Sequence, residues 1–255
     1  MTATNPIIEV KNLTVYYEDN LILDDLSFEI FPGEIFVILG GSGCGKTTLL
    51  RAMTGLLPPR NGQVLFEGED MISAGEKKRQ AIMKKFGILF QSGALLGSMT
   101  LGENVALPLE ESRKLPEELI VELVRMKLKL VNLQGKEHLM PSELSGGMKK
   151  RGGLARAIAL DPRILFFDEP SAGLDPITSL ELDHLILGLN ANFGTTMIVV
   201  THELQSINTI AQRVIMLDRE THKIIAEGKP QELRDHSTIP KVRAFFRREL
   251  IPDKE

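Results

Sequence analysis

Tryptophan is missing from these 255 residues, tyrosine occurs twice and cysteine once. A single cysteine allows no intramolecular disulfide, which fits a reducing compartment. No run comes near the ~18 apolar residues that cross a bilayer. No apolar segment follows the polar start Met1-Thr2-Ala3-Thr4-Asn5, so neither a secretory leader nor a membrane span is expected. A basic excess is lacking too: 30 Lys and Arg against 34 Asp and Glu give a formal charge of −4. Proteins held on nucleic acid by diffuse electrostatics normally show the opposite balance. What is there is 43% hydrophobic and 25% charged residues, the balance of a globule that buries a full core. The length suits one large domain, or one core with a subdomain set into it. There are also 22 glycines, and their positions matter most.

The first third reads as strands and turns. Ile8-Glu9-Val10 and Leu13-Thr14-Val15-Tyr16-Tyr17 favour β structure, and Leu26-Ser27-Phe28-Glu29-Ile30 alternates with period two. Pro32-Gly33 then turns the chain into Ile35-Phe36-Val37-Ile38-Leu39, apolar on both faces like a strand inside a parallel sheet. A helix is expected over Thr47–Met53, and further buried strands at Ile164–Phe167 and Met197–Val200. This succession predicts an α/β fold with a parallel sheet. Between about 93 and 160 the pattern turns helical, through Leu115–Val131 and Met148–Leu160, and reads as an inserted subdomain. Pro240–Arg248 reads as a short amphipathic helix with Val242, Phe245 and Phe246 on its apolar side. The clusters Lys77-Lys78-Arg79 and Lys84-Lys85 read as solvated helix faces.

Gly40-Gly41-Ser42-Gly43-Cys44-Gly45-Lys46-Thr47-Thr48 contains the phosphate-binding pattern, Lys and Thr directly following the last Gly. Polyphosphate oxygens need several backbone N–H donors converging on them, so the loop must curl without Cβ clashes. The N-terminus of the following helix adds a dipole that favours anions. In this pattern Lys46 reaches the β and γ phosphates and the Thr47 hydroxyl ligates Mg²⁺. Two fixed glycines, a Lys and a Ser/Thr would arise by chance in about one chain in a hundred of this length. Cys44 reads as a small residue that fits the loop, with a redox or nucleophilic role as its alternative. Downstream, Ile164-Leu165-Phe166-Phe167-Asp168-Glu169 supplies the acids such a site needs at the end of a buried strand. Asp168 would hold the Mg²⁺ shell, and Glu169 would polarise a water for attack on the γ-phosphate.

Ser142-Glu143-Leu144-Ser145-Gly146-Gly147-Met148, before Asp168, opens a helical pattern. Here the sequence resembles the nucleotide-binding subunits of ATP-binding cassette (ABC) transporters, whose signature is usually Leu-Ser-Gly-Gly-Gln; Met148 replaces the Gln. Alone, a Ser N-cap before a Gly pair would be an ordinary helix start. The other matches follow in the family's order. Tyr17, or less favourably Tyr16, falls where an aromatic stacks on adenine. Gln91 matches the glutamine that senses Mg²⁺ and links to the membrane partner. Ser171-Ala172-Gly173-Leu174-Asp175 matches the loop that crosses a dimer interface, and His202 the histidine that contacts the γ-phosphate, though alone it would read as a structural histidine.

Phe90-Gln91-Ser92-Gly93-Ala94-Leu95-Leu96, Glu103–Leu109 and Leu139–Met148 are similar to the Mla group within that family, the motors of MCE-type lipid transporters in bacteria with two membranes. The resemblance covers roughly residues 7 to 247. It implies a P-loop ABC cassette with a mainly parallel sheet core, an N-terminal antiparallel β part and an inserted helical subdomain. Residues 1–255 would form a single nucleotide-binding domain, with helical parts at about 93–160 and 232–255. It implies ATP hydrolysis with ATP and Mg²⁺, Glu169, His202, Gln91 and Lys46 as catalytic residues, and Thr47, Gln91 and Asp168 at the metal. ATP would contact Tyr17, the loop from Gly40 to Thr48 (Gly41, Ser42, Gly43, Cys44, Gly45, Lys46 and Thr47 between them), and Ser145, Gly146, Gly147 and Asp175. Its partners would be a second copy, a multi-pass permease, an MCE-domain protein and a small cytoplasmic accessory subunit, with no nucleic acid. Its place would be the cytoplasmic face of the inner membrane, moving phospholipids between inner and outer membranes. The same motor with another cargo, or a non-transport ABC ATPase acting on nucleic acid, stays open. One oddity is Gly152-Gly153 inside the signature helix, where each Gly costs about 1 kcal/mol relative to Ala unless close packing requires it.

Overall fold

The computed structural model describes residues 5–112 and 115–249. The polar start up to Thr4 and the tail from Leu250 lie outside them. In chain order the strands are β1 (Ile8–Tyr17), β2 (Asn20–Ile30), β3 (Ile35–Gly40), β4 (Asn61–Phe66), β5 (Glu69–Asp70), β6 (Phe86–Leu89), β7 (Ile164–Asp168), β8 (Thr196–Val200), β9 (Arg213–Leu217) and β10 (Ile224–Gly228). The helices are α1 (Lys46–Met53), α2 (Glu76–Met83), α3 (Leu101–Ser112), α4 (Glu117–Leu130), α5 (Gly146–Ala157), α6 (Pro176–Phe193), α7 (Leu204–Ile210), α8 (Pro230–His236) and α9 (Pro240–Arg247). They fall into two units, one holding the chain up to Ile82 and from Ile198 onward, the other Met83–Met197.

The first unit contains the antiparallel sheet β2-β1-β4-β5, with Ile8 opposite Ile30 on one side and Phe66 on the other. The runs read as two short strands at 8–10 and 13–17 are one strand, because a bulge joins them at Asn12. Asn12 sits in left-handed backbone at φ 48°, which asparagine tolerates when its side chain bonds locally. Its Nδ2 donates to Asp25 Oδ1 at 2.8 Å. The same unit carries β10-β9-β3 and the Ile198–Val200 part of β8. β3 and β9 are parallel, Phe36 opposite Arg213 and Gly40 opposite Leu217. Every residue of β3 is buried, as its unbroken apolar run requires between two covered faces. The Arg213 guanidinium holds the Glu34 carboxylate with Nε and Nη2 at 2.7 and 2.8 Å and lies 4.7 Å from the Phe36 ring centroid. The tail helix α9 buries Val242 and Phe246, and Lys241 reaches Asp218 and Glu220 at 3.1 and 2.7 Å. Of the basic clusters, Arg79 does more than face solvent: its guanidinium donates to the Gly55 carbonyl. Lys84 and Lys85 lie beyond the end of α2.

In the second unit β6 and β7 are parallel, Phe86 opposite Ile164 and Leu89 opposite Phe167. The stretch read as helical between 93 and 160 holds α3, α4 and α5. The glycine pair in α5 has a packing reason. A Cβ on Gly153 would stand 2.6 Å from the Gly93 carbonyl oxygen, while one on Gly152 would meet only the Leu101 and Leu95 side-chain methyls. Leucine tips move; a backbone carbonyl does not move cheaply. We therefore expect Gly153→Ala to lower stability by about 1–2 kcal/mol despite its better helix propensity, because overpacking outweighs it. Gly152→Ala should change stability less. Denaturant unfolding of the two variants compares them, and an equal response would contradict the packing account.

Candidate functional site

The first unit carries the phosphate loop between β3 and α1. Gly45 caps α1 at φ 97°, with no side-chain cap and no acidic residue in the first turn. The backbone therefore requires glycine, and a Cβ there would also press on the Leu23 side chain, 2.7 Å from its Cδ2. The residue at the N-cap thus brings no capping side chain to the start of the helix, and a glycine-led helix start is suited to receive an anion. Lys46 is 8% exposed, and its Nζ donates to the carbonyls of Gly40 and Gly41 at 3.0 and 3.1 Å. The ammonium is thereby folded back over the loop whose phosphates it is expected to meet. Gly41, Ser42 and Gly43 are exposed, and Thr47 and Thr48 half-buried. Cys44 is buried, and burial raises its thiol pKa against the lowering influence of Lys46. A covered thiol whose pKa is raised is poorly suited to act as a nucleophile, which supports the packing reading of Cys44.

Tyr17 and Tyr16, neighbours on β1, behave differently. The Arg60 guanidinium lies 4.9 Å from the Tyr16 ring centroid, whereas Tyr17 is 60% exposed. His202 follows β8 and is exposed, held by a backbone anchor at Thr201, whose N–H donates to Ile38 O at 3.2 Å.

The second unit carries the other candidates. Asp168 ends β7 and Glu169 follows it, 7% and 9% exposed. Glu169 sits at φ 47°, a left-handed backbone uncommon for a non-glycine residue and a frequent mark of functional positions. Asp175 caps α6, accepting from the N–H groups of Ile177 and Thr178, both at 3.1 Å, and from Thr178 Oγ1 at 2.5 Å. The Thr178 bonds hold its carboxyl below the usual range. Ser145 caps α5, its Oγ accepting the Met148 N–H at 3.3 Å. Ser145 and Gly146 are exposed, but Gly147 is buried, and a Cβ on it would stand 2.6 Å from Thr178 Cγ2. A side chain at 147 would press on Thr178, which gives this glycine a packing reason of its own.

Gln91 is exposed just after β6. The loop behind it is tied down by residues to which the sequence reading gives no individual role. Asn104, fully buried on α3, accepts from the Leu96 N–H at 2.7 Å and donates to the carbonyls of Leu96, Met99 and Thr100 at 2.9–3.2 Å. Arg156 on α5 donates to Asn104 Oδ1 and Gly93 O, both at 3.3 Å. Burial lowers the Arg156 pKa. A charged residue inside the apolar repeat of α5 was the available signal.

A family model described as ABC transporter matches residues 23–172, from β2 past the acids that end β7. The chain belongs to the ABC transporter family. This cassette is 45% identical over 227 residues, 89% of its length and 85% of the other's, to the intermembrane phospholipid transport system ATP-binding protein MlaF of Haemophilus influenzae. It is 43% identical to the probable ribonucleotide transport ATP-binding protein mkl of Mycobacterium leprae, over 94% of this chain and 68% of that one. Its fold is similar to the dimeric post-hydrolysis cassette MJ0796 bound to ADP and Pi, with TM-score 0.80 and 29% identity over 87% of this chain and 98% of that one. The cassette is an ATPase of α/β P-loop fold. Among its described residues no helix is long and apolar enough to cross a membrane.

Proposed function

We propose that this cassette is the ATP-hydrolysing motor of a bacterial transporter that moves phospholipids between two membranes. The observation that carries the reading is the 45% identity to MlaF over most of both chains. The mkl likeness keeps a second cargo in view, but it spans only 68% of that relative. In the proposed cycle two copies sandwich two ATP molecules, each between the phosphate loop of one and Ser145, Gly146 and Gly147 of the other. ATP closes the pair and hydrolysis opens it, a two-state element biased by ligand. Tyr17 stacks on adenine, Lys46 and His202 meet the γ-phosphate, and Asp175 lies at the interface between copies. Thr47, Gln91 and Asp168 offer a hydroxyl, an amide and a carboxylate oxygen, and such hard donors suit Mg²⁺. Bound there, Mg²⁺ would neutralise charge on the phosphates. Glu169 orients and deprotonates the attacking water. The cassette works as one domain, peripheral to the cytoplasmic face of the inner membrane.

Affinity purification of the tagged cassette tests this. A multi-pass permease and an MCE-domain chain should copurify, with phospholipid and a small cytoplasmic subunit. Recovery of a solute-binding protein or of nucleic acid instead would overturn it.

A further inference from the structure

Lys150 is a basic residue in α5 that is only 5% exposed. Long cationic side chains are buried this deeply almost only when their donors are taken up. Its Nζ lies 2.6 Å from the Ala172 carbonyl and 3.3 Å from the Glu169 carbonyl. Those two oxygens belong to one turn: the Ala172 N–H also donates to Glu169 O at 3.2 Å, and the Leu174 N–H to Ser171 O at 3.0 Å. Glu169 starts this turn in left-handed backbone, a conformation that persists only where its surroundings over-determine it. A second donor on the Glu169 carbonyl fixes the peptide plane that follows it, and with it the backbone from which the carboxylate projects.

The first turns of α5 are attached to the same region by two further contacts. Gly147 lies against Thr178, which Asp175 caps, and Arg151 pairs with Glu181 of α6 at 3.5 Å. The start of α5, the turn from Glu169 to Ala172 and the start of α6 thus form a single packed piece.

We propose that Lys150 is a positioning residue for hydrolysis: it holds the Glu169 turn to the helix that begins at Ser145, so that the carboxylate is aimed only when that helix is in place. This rests on the proposed role of Glu169 as base. A displacement of the base by about 1 Å is enough for a loss on the order of 10²-fold in turnover, with no contact to nucleotide removed.

The test compares Lys150→Met, Lys150→Arg, Glu169→Gln and the Lys150→Met/Glu169→Gln pair in the full-length chain. kcat, KM and the affinity for a fluorescent ATP analogue are measured for each. Lys150→Met should lower kcat by ~10- to 100-fold with analogue affinity within about twofold of the parent, and Lys150→Arg, which can still donate to both carbonyls, should recover most of it. In the Glu169→Gln background Lys150→Met should add almost nothing, since residues acting as a unit are non-additive. Unchanged kcat in Lys150→Met, or a further drop of its full size in the double variant, overturns the proposal. If Lys150→Met does not fold, Lys150→Gln replaces it under the same criteria. Near-normal hydrolysis by Glu169→Gln sinks the base assignment itself, whereas an inactive Glu169→Gln beside a normal Lys150→Met sinks only the role of Lys150.

Discussion

Replacing Glu169 with Gln should reduce ATP turnover by about 10²–10⁴-fold, the usual contribution of a general base, while nucleotide affinity stays within about twofold. The substitution keeps the shape and one oxygen of the side chain, so the buried position at the end of β7 is not emptied. What disappears, on the proposed role of Glu169, is the ability to take a proton from water. Backbone strain argues the same way: φ at Glu169 is a property of the turn and its carbonyl bonds, which an amide leaves alone. A single-turnover assay with bound nucleotide measured separately decides it. Hydrolysis within a fewfold of the parent would mean that another group activates the water.

For Lys46→Met the expected loss lies in binding. Hydrogen bonds from a charged donor contribute about 1.5–3 kcal/mol each, and every 1.4 kcal/mol is tenfold, so ATP affinity should fall by roughly 10- to 150-fold. The lower half of that range is favoured by the structure. Lys46 already donates to the carbonyls of Gly40 and Gly41, and phosphate must compete with those bonds. Because Nζ serves as an internal clasp, its removal should also loosen the loop. AMP, which lacks the phosphates that Lys46 is assigned to reach, should be affected much less than ATP. Equal losses for both, read by calorimetry, would place the lysine's effect in loop structure alone.

Much of the sheet was legible because burial on both faces leaves a blunt signature. β3, β7 and β8 are built on apolar runs of four or five residues and are buried throughout, and the sequence reading of each falls within a residue or two. The helix α6 was not seen. Ile177, Leu180, Leu182, Leu185, Ile186, Leu187 and Leu189 are spread round it, so no single stripe announces a period. Pro108 inside α3 obscured that helix in the same way, since proline argues locally for an end. β10 is only half-buried along most of its length and lacks a clear alternation. At the candidate site, residues of a recognisable chemical type stand out: the glycines, Lys46, and Asp168 and Glu169 at the end of β7. Asn104, Lys150 and Arg156 do not, because their duty is to bond main-chain atoms that only the folded chain brings near.

The pair Tyr16 and Tyr17 gives the chain a built-in optical reporter. Lacking tryptophan, the protein has an emission dominated by these two rings, with its phenylalanines far weaker. One is covered by Arg60 and the other faces solvent. Their signal therefore originates at one spot on β1, free of the background that indoles elsewhere would add, and an unlabelled sample can be watched there directly.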